Sequence, residues 1–179
     1  GEVLHQICET LAGSARDVSP TRFHNSVHNA AAGYWSIATG ARTASTSLCA
    51  HQGSFAAGLV EAAVQVRAEH RPVLLVAYDL PPPPPLAAVV PCTAPFGLAL
   101  LLAPSPGAAT LGGLELELAG AGAETTLDDP ALERLRTANA AARALPVLAA
   151  LAAGRTAAAT LEWLPDLWLA VSAAPHGAG

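Results

Sequence analysis

The chain reads as a layered α/β domain with a mixed sheet and a buried central helix, and three observations carry that reading. Residues 55–66 place Phe55, Ala56, Ala57, Leu59, Val60, Ala62, Ala63, Val64 and Val66 on every face of a helix, and a helix apolar all round is a buried one. Residues 44–50, just ahead of it, read as a short strand. Pro72-Val-Leu-Leu-Val-Ala-Tyr78, just after it, is a continuous apolar run of the kind found in a strand covered on both faces. Strand, turn, helix and strand make a βαβ unit, in which functional groups are usually placed at the carboxyl end of a strand, here at the helix start. The residues there are His51, Gln52, Gly53 and Ser54.

The other elements follow in order. Val3, Leu4, Ile7, Leu11 and Ala12 recur at helical spacing, so residues 2–15 read as a helix ended by Gly13 and Ser14. Ser19-Pro20-Thr21 opens a second helix, with proline favoured in the first turn. His24, Val27, His28, Ala31 and Ala32 continue it to about Thr39, where Gly40 closes it. Residues 81–85 are five prolines, expected as an extended polyproline II connector, with docking into an aromatic groove as the alternative. Residues 96–103 read as a buried strand. Leu114-Glu-Leu-Glu-Leu118 alternates cleanly and reads as a half-exposed strand with Glu115 and Glu117 outward. Asp128-Asp129-Pro130 caps a helix running to about Ala144, with Leu132, Leu135, Ala138 and Ala142 on one face. Pro146 kinks or restarts it, and Gly154 ends it. Residues 156–163 and 167–172 read as a strand pair about Pro165-Asp166. No internal repeat is evident.

A length of 179 residues supports one domain with a real core. Only 13% of the chain is charged, about half the ordinary share, and so apolar a surface suits a partner that covers part of it. A net charge of −5 without any basic cluster argues against nucleic acid as a partner. Cys8, Cys49 and Cys92 are odd in number and far apart, which fits reduced thiols. The segment Gly1-Glu-Val-Leu-His-Gln shows no signal peptide, so a cytoplasmic location is expected. Residues 80–114 carry no charge, yet their prolines suit loops around a strand and not a helix crossing a bilayer.

Several candidate chemistries are weak. His24 and His28, four apart, would share a helical face, but the Glu of an H-E-x-x-H zinc motif is missing. His5 with Cys8 is weaker still, and no metal site is expected, because zinc needs three or four converging ligands. No nucleophile elbow, phosphate loop or dinucleotide fingerprint is present, and no cofactor is expected.

Ser19-Pro20, Asn29-Ala-Ala-Ala-Gly33, Ile37, Gly40 and Arg42, followed by the turn and the apolar helix, resemble the N-terminal half of a β-ketoacyl synthase. More narrowly, Ser19-Pro-Thr-Arg-Phe-His-Asn-Ser-Val-His-Asn-Ala31 and Gly53-Ser-Phe-Ala-Ala-Gly-Leu-Val-Glu-Ala62 are similar to the short ketosynthase-like proteins of aryl-polyene-type gene sets, often labelled chain-length factors. The resemblance covers the first half of the chain and fades beyond Pro85. It implies one half of a thiolase-like fold over residues 1–179, with a further segment expected ahead of Gly1.

The resemblance also implies roles. Family enzymes carry a nucleophilic Cys at the start of the helix, and the ungapped register puts Gln52 there. Shifts of two or three residues would put Ala50 or Cys49 there instead. A helix start lowers a thiol pKa, but a carboxamide cannot form a thioester and can only donate and accept hydrogen bonds. An alternative is that Gln52 merely caps the helix. Cys49 is either a displaced nucleophile or a small buried hydrophobe. The residues expected to bind are His51, Gln52, Gly53, Ser54 and Asn29. The resemblance places the family's catalytic histidines in a C-terminal half that residues 1–179 are not expected to include, and His176-Gly-Ala-Gly179 reads as tail.

The function so implied is that of a non-catalytic, chain-length-factor-type partner of a ketosynthase, with acyl carrier protein as a further candidate partner. Two alternatives stay open. One is an enzyme, either a decarboxylase acting on malonyl-acyl carrier protein or an acyltransferase, using Gln52 or Cys49. The other is a purely structural dimerisation domain. The resemblance implies a dimer, with a ketosynthase or with itself, across the strand Ser45, Thr46, Ser47, Leu48, Cys49 and Ala50 and the helix at residues 30–34. That strand has no charge, Pro or Gly to block edge pairing.

Overall fold

In the computed structural model, which describes residues 1–14, 16–120 and 122–176, the chain divides into two compact units. Residues 1–49 and 82–90 form the first, and residues 50–81 and 91 onward form the second.

The first unit is helical. Helix α1 (Glu2–Ala12) buries Ile7 and ends where the Gly13 N–H donates to the carbonyls of Glu9 and Thr10. The single helix expected from Pro20 to Thr39 is instead two, α2 (Pro20–Asn25) and α3 (Ala30–Thr39). The break has a local cause. Ser26 Oγ donates to the Phe23 carbonyl at 2.7 Å, and such side-chain bonds compete with the helical ladder. Pro20 stands in the first turn of α2, and Gly40 closes α3 in the left-handed region at φ 68°. Helix α3 buries none of its residues, and Tyr34, Trp35 and Ile37 are exposed. The strand expected at residues 44–50 does not form. A strand exists only through a ladder with a neighbour, and no sheet of the described residues includes this segment. The five prolines do not stay extended either. A turn with a cis Pro84–Pro85 peptide bond leads into a short 3-10 turn, Leu86–Ala88.

The second unit begins with a 3-10 turn (His51–Gly53) and helix α4 (Ser54–Glu69). Phe55, Leu59, Ala62 and Val66 are buried on one side of α4 together with Ala56 and Gly58, while Val64 is exposed. Burial on every face, which the apolar composition predicts, is therefore not found. Strands β1 (Val73–Asp79) and β2 (Phe96–Leu102) pair antiparallel, Val73 opposite Leu102 and Asp79 opposite Phe96. Both alternate between half-buried and exposed residues. The expectation of strands covered on both faces is thus corrected, because Leu74, Val76, Tyr78 and Leu101 face outward.

Strand β3 (Gly112–Ala119) leads to helices α5 (Pro130–Thr137) and α6 (Leu145–Ala152), then to strands β4 (Ala157–Leu164) and β5 (Leu167–Pro175). The second sheet has the order β3-β5-β4 and is antiparallel throughout, as is the first. The mixed sheet is therefore not observed. A parallel pair needs a crossover from one formed strand to another, and the strand that would precede α4 is missing. Pro165-Asp166 closes the β4–β5 hairpin, with Asp166 in the left-handed region at φ 62°. Glu115 and Glu117 of β3 point outward as the alternation requires. The core of this unit joins Phe55 and Leu59 of α4 to Val147 of α6 and to Leu161, Leu169 and Val171 of the second sheet.

Polar side chains hold the segment between β3 and β4. Asp129 caps α5, its Oδ1 accepting from the N–H groups of Ala131 and Leu132. Asn139, fully buried, breaks the helix expected to run to Ala144. Its Oδ1 accepts from the N–H groups of Ala141 and Ala142 and so starts a 3-10 turn (Ala141–Ala144), while its Nδ2 donates to the Ala94 carbonyl at 2.8 Å. Arg136, also buried, donates from Nη1 to Glu124 and from Nε and Nη2 to Glu133. Arg143 bonds the same Glu124 oxygen. The Arg136 bonds hold the Glu133 carboxyl down at about 2 against a burial effect in the opposite sense. Burial pushes the Glu124 carboxyl up, but bonds from Arg136 and Arg143 outweigh it and leave it lowered.

Candidate binding site at the start of helix α4

The turn ahead of α4 is closed by its own backbone and one hydroxyl. The Gly53 N–H donates to the Ala50 carbonyl at 3.0 Å. Ser54 Oγ donates to the His51 carbonyl at 2.7 Å and accepts from the Ala50 N–H at 2.9 Å. His51 is exposed and sits in the left-handed region at φ 51°, which a non-glycine residue adopts at a cost. Helix α4 then starts at Ser54, where backbone N–H groups and the helix dipole favour acceptors and negative charge.

Gln52 stands in the middle of this turn. It makes no capping bond to α4, so the reading of Gln52 as a cap is not what the structure shows. Its Oε1 is buried and has no hydrogen-bond partner. The next residue, Gly53, is buried against β4. A Cβ there would collide with the carbonyl oxygen of Trp163. The pairing of β4 with β5 skips Trp163, from Glu162 opposite Trp168 to Leu164 opposite Leu167. Such an irregularity re-aims the backbone locally, and here the Trp163 carbonyl lies against Gly53.

Between the turn and the hairpin lies a pocket of about 230 Å³, lined by Ala50, His51, Gln52 and Gly53 on one side and by residues 162–165 on the other. That is below the volume of ordinary small-molecule sites, roughly 300–1,000 Å³. A carboxamide in this pocket offers hydrogen bonds and no nucleophile.

The structure therefore brings His51, Gln52, Gly53 and Ser54 together. Asn29 belongs to the other compact unit, where it precedes α3 and borders a shallow groove with His24, Val27 and Tyr34. Ser45, Thr46, Leu48 and Cys49 are exposed, Ser47 and Ala50 half-buried. Cys49 is thus not the buried hydrophobe that a strand would have made it. The buried thiol is Cys92, which burial pushes up in pKa with Asp79 adding to the effect. The break between α2 and α3 takes His24 and His28 off a common helical face. Among the described residues no group of three His, Cys, Asp or Glu side chains is placed to hold a metal ion. No helix among them is long and apolar enough to cross a membrane. Of the terminal His176-Gly-Ala-Gly motif, residues 177–179 lie outside the described residues. Sequence reasoning missed Glu162 and Trp163, because nothing in the chain order ties a distant hairpin to the turn at Gln52.

No curated protein matches the chain. Among solved structures it is similar to a chain of the ketosynthase ApeO in complex with its chain length factor ApeC from Xenorhabdus doucetiae, at 27% identity and a TM-score of 0.68. The match covers 96% of this chain and 64% of that one, so this chain spans less than two thirds of that relative. The family model for the β-ketoacyl synthase N-terminal domain matches residues 4–168. The chain belongs to the β-ketoacyl synthase N-terminal domain family.

Proposed function

We propose that this chain is a non-catalytic, chain-length-factor-type partner in acyl or polyketide chain synthesis. Residues 1–179 act as one ketosynthase-like half-domain in the cytoplasm, binding a ketosynthase, with acyl carrier protein as a further partner. The observation that carries the reading is the carboxamide of Gln52 in the turn that starts α4, the place where the family's nucleophilic thiol is expected. A thiolate could attack a thioester; a carboxamide cannot. The similarity to a chain of a ketosynthase–chain length factor complex supports the same role.

The interface we assign comprises Ser45, Thr46, Ser47, Leu48, Cys49 and Ala50 together with α3. The segment is uncharged and largely exposed. Helix α3 is apolar and buries none of its own residues, as suits a surface waiting for a partner.

Incubation with acyl- and malonyl-acyl carrier protein, followed by intact-mass measurement and assay of CO2 release, tests the absence of catalysis. Neither an adduct nor CO2 is expected. A stable acyl adduct on Cys49, or turnover of the malonyl thioester, would overturn the reading.

A further inference from the structure

We propose that residues 122–127 guard the free edge of β4 against pairing with a second copy of the chain, and that Arg136 and Arg143 hold the guard shut through Glu124. In the order β3-β5-β4 the outer strands among the described residues are β3 and β4. An open edge is a template for another strand, and charge is a usual deterrent. Strand β3 carries Glu115 and Glu117. Strand β4 opens with Ala157-Ala-Ala-Thr-Leu161, which has no charge, Pro or Gly. Such a run pairs readily with another chain if it is left open. Thr125 closes it. The Thr125 N–H donates to the Thr160 carbonyl at 2.9 Å, and Thr125 Oγ1 accepts from the Thr160 N–H at 2.8 Å. One residue thus takes both backbone groups that Thr160 turns toward the edge.

A further backbone strand would satisfy β4 but present a fresh edge of its own. Here the acceptor is a side chain, and residues 122–127 form no strand, so the ladder ends at Thr125. Contacts on either side of Thr125 hold the segment in place. A Cβ on Gly122 would stand 3.2 Å from the Trp168 ring and 3.3 Å from the Thr160 methyl, so the chain lies close on the sheet there. Glu124 Oε2 accepts from Arg136 Nη1 at 2.7 Å and is bonded by Arg143 as well. The Leu127 N–H donates to Glu133 Oε2 at 3.0 Å, and Arg136 bonds both oxygens of that carboxylate. The buried Arg136 therefore ties down the residues before and after Thr125, directly at Glu124 and through Glu133 at Leu127. Without that hold Thr125 can leave the edge, and the uncharged start of β4 is free to pair antiparallel with β4 of a second copy.

Amide hydrogen exchange and solution mass, both measured on the full chain, test this. The Thr160 N–H reports on the guard, while Ala159 and Leu161, which pair with Val171 and Leu169 of β5, report on the sheet. Glu124→Gln is expected to speed exchange at Thr160 at least tenfold and to leave Ala159 and Leu161 within twofold of wild type. No change at Thr160 would mean that the arginines do not hold the guard, and equal acceleration at all three would mean that the sheet itself has loosened; either result overturns the proposal. Thr125→Pro removes both edge bonds. By light scattering it is expected to form a larger species at a concentration where wild type keeps its own mass. Adding Ala158→Lys, at an exposed position of the same strand, should return it to that mass, as charge on an edge strand does. A Thr125→Pro chain that keeps the wild-type mass while Thr160 exchanges fast, or assemblies that Ala158→Lys does not disperse, would overturn the pairing with a second copy. If Thr125→Pro does not fold, Thr125→Val, which removes the hydroxyl alone, replaces it in both measurements. Wild type is the reference throughout, so the outcome does not depend on whether the chain also binds a ketosynthase.

Discussion

The carbonyl oxygen of Trp163 occupies the space that a Cβ on residue 53 would need. The contact joins the turn before α4 to the hairpin that ends the second sheet, and backbone meets backbone, so no side chain can swing aside. Gly53→Ala should therefore destabilise the chain by about 1–3 kcal/mol, the usual cost of overpacking. Urea denaturation followed by circular dichroism checks this. A variant as stable as wild type would mean that the turn and the hairpin move apart freely.

The paired charges around Arg136 give a second prediction. Arg136→Met leaves Glu133 without its cation and Glu124 with Arg143 alone. Breaking a buried pair from one side costs about 3–5 kcal/mol. The pH dependence has a definite sign. Glu133 is held down from 4.5 to about 2 in the folded chain, and Glu124 is lowered as well. Their contribution is fully present above the unfolded value of 4.5 and is lost as pH falls toward about 2. Stability of the wild type should drop across that window, and in Arg136→Met the drop should be much shallower. Urea midpoints between pH 5 and pH 2 measure both.

Much of the second unit was legible in the sequence. Strand β3 and the capping of α5 by Asp129 follow from alternation and from an Asp-Pro helix start. In the first unit Gly40 ends α3 as its position predicts. The misses share a cause. Residues 44–50 look like a strand, but a strand needs a neighbour, and local sequence does not say whether one is there. The breaks at Ser26 and Asn139 each come from the hydrogen bonds of one side chain, and apolar periodicity runs straight through both. Asn139 had a signal, a good N-cap residue set in a run of alanines, which the helical pattern on either side masked. Of the site, the turn at residues 51–54 was legible, whereas its far wall at Glu162 and Trp163 depends on tertiary packing alone.

The segment Ser45–Ala50 gives a third prediction. It forms no strand among the described residues, and the proposed interface gives it a ladder with a partner. Ser47→Pro removes one backbone donor there. The isolated variant should keep wild-type circular dichroism and melting temperature, since no internal ladder is lost, while association with the ketosynthase falls at least tenfold. Unchanged association would move the interface elsewhere.

The central claim is that this chain works as a partner without chemistry of its own, and the most direct measurement is co-expression with its ketosynthase followed by size-exclusion chromatography with light scattering. An interface that joins two such halves should bury on the order of 2,000 Å² or more. The account predicts a stable one-to-one complex that survives dilution to micromolar concentration. A chain that elutes as a well-behaved monomer beside a ketosynthase that ignores it would contradict the account.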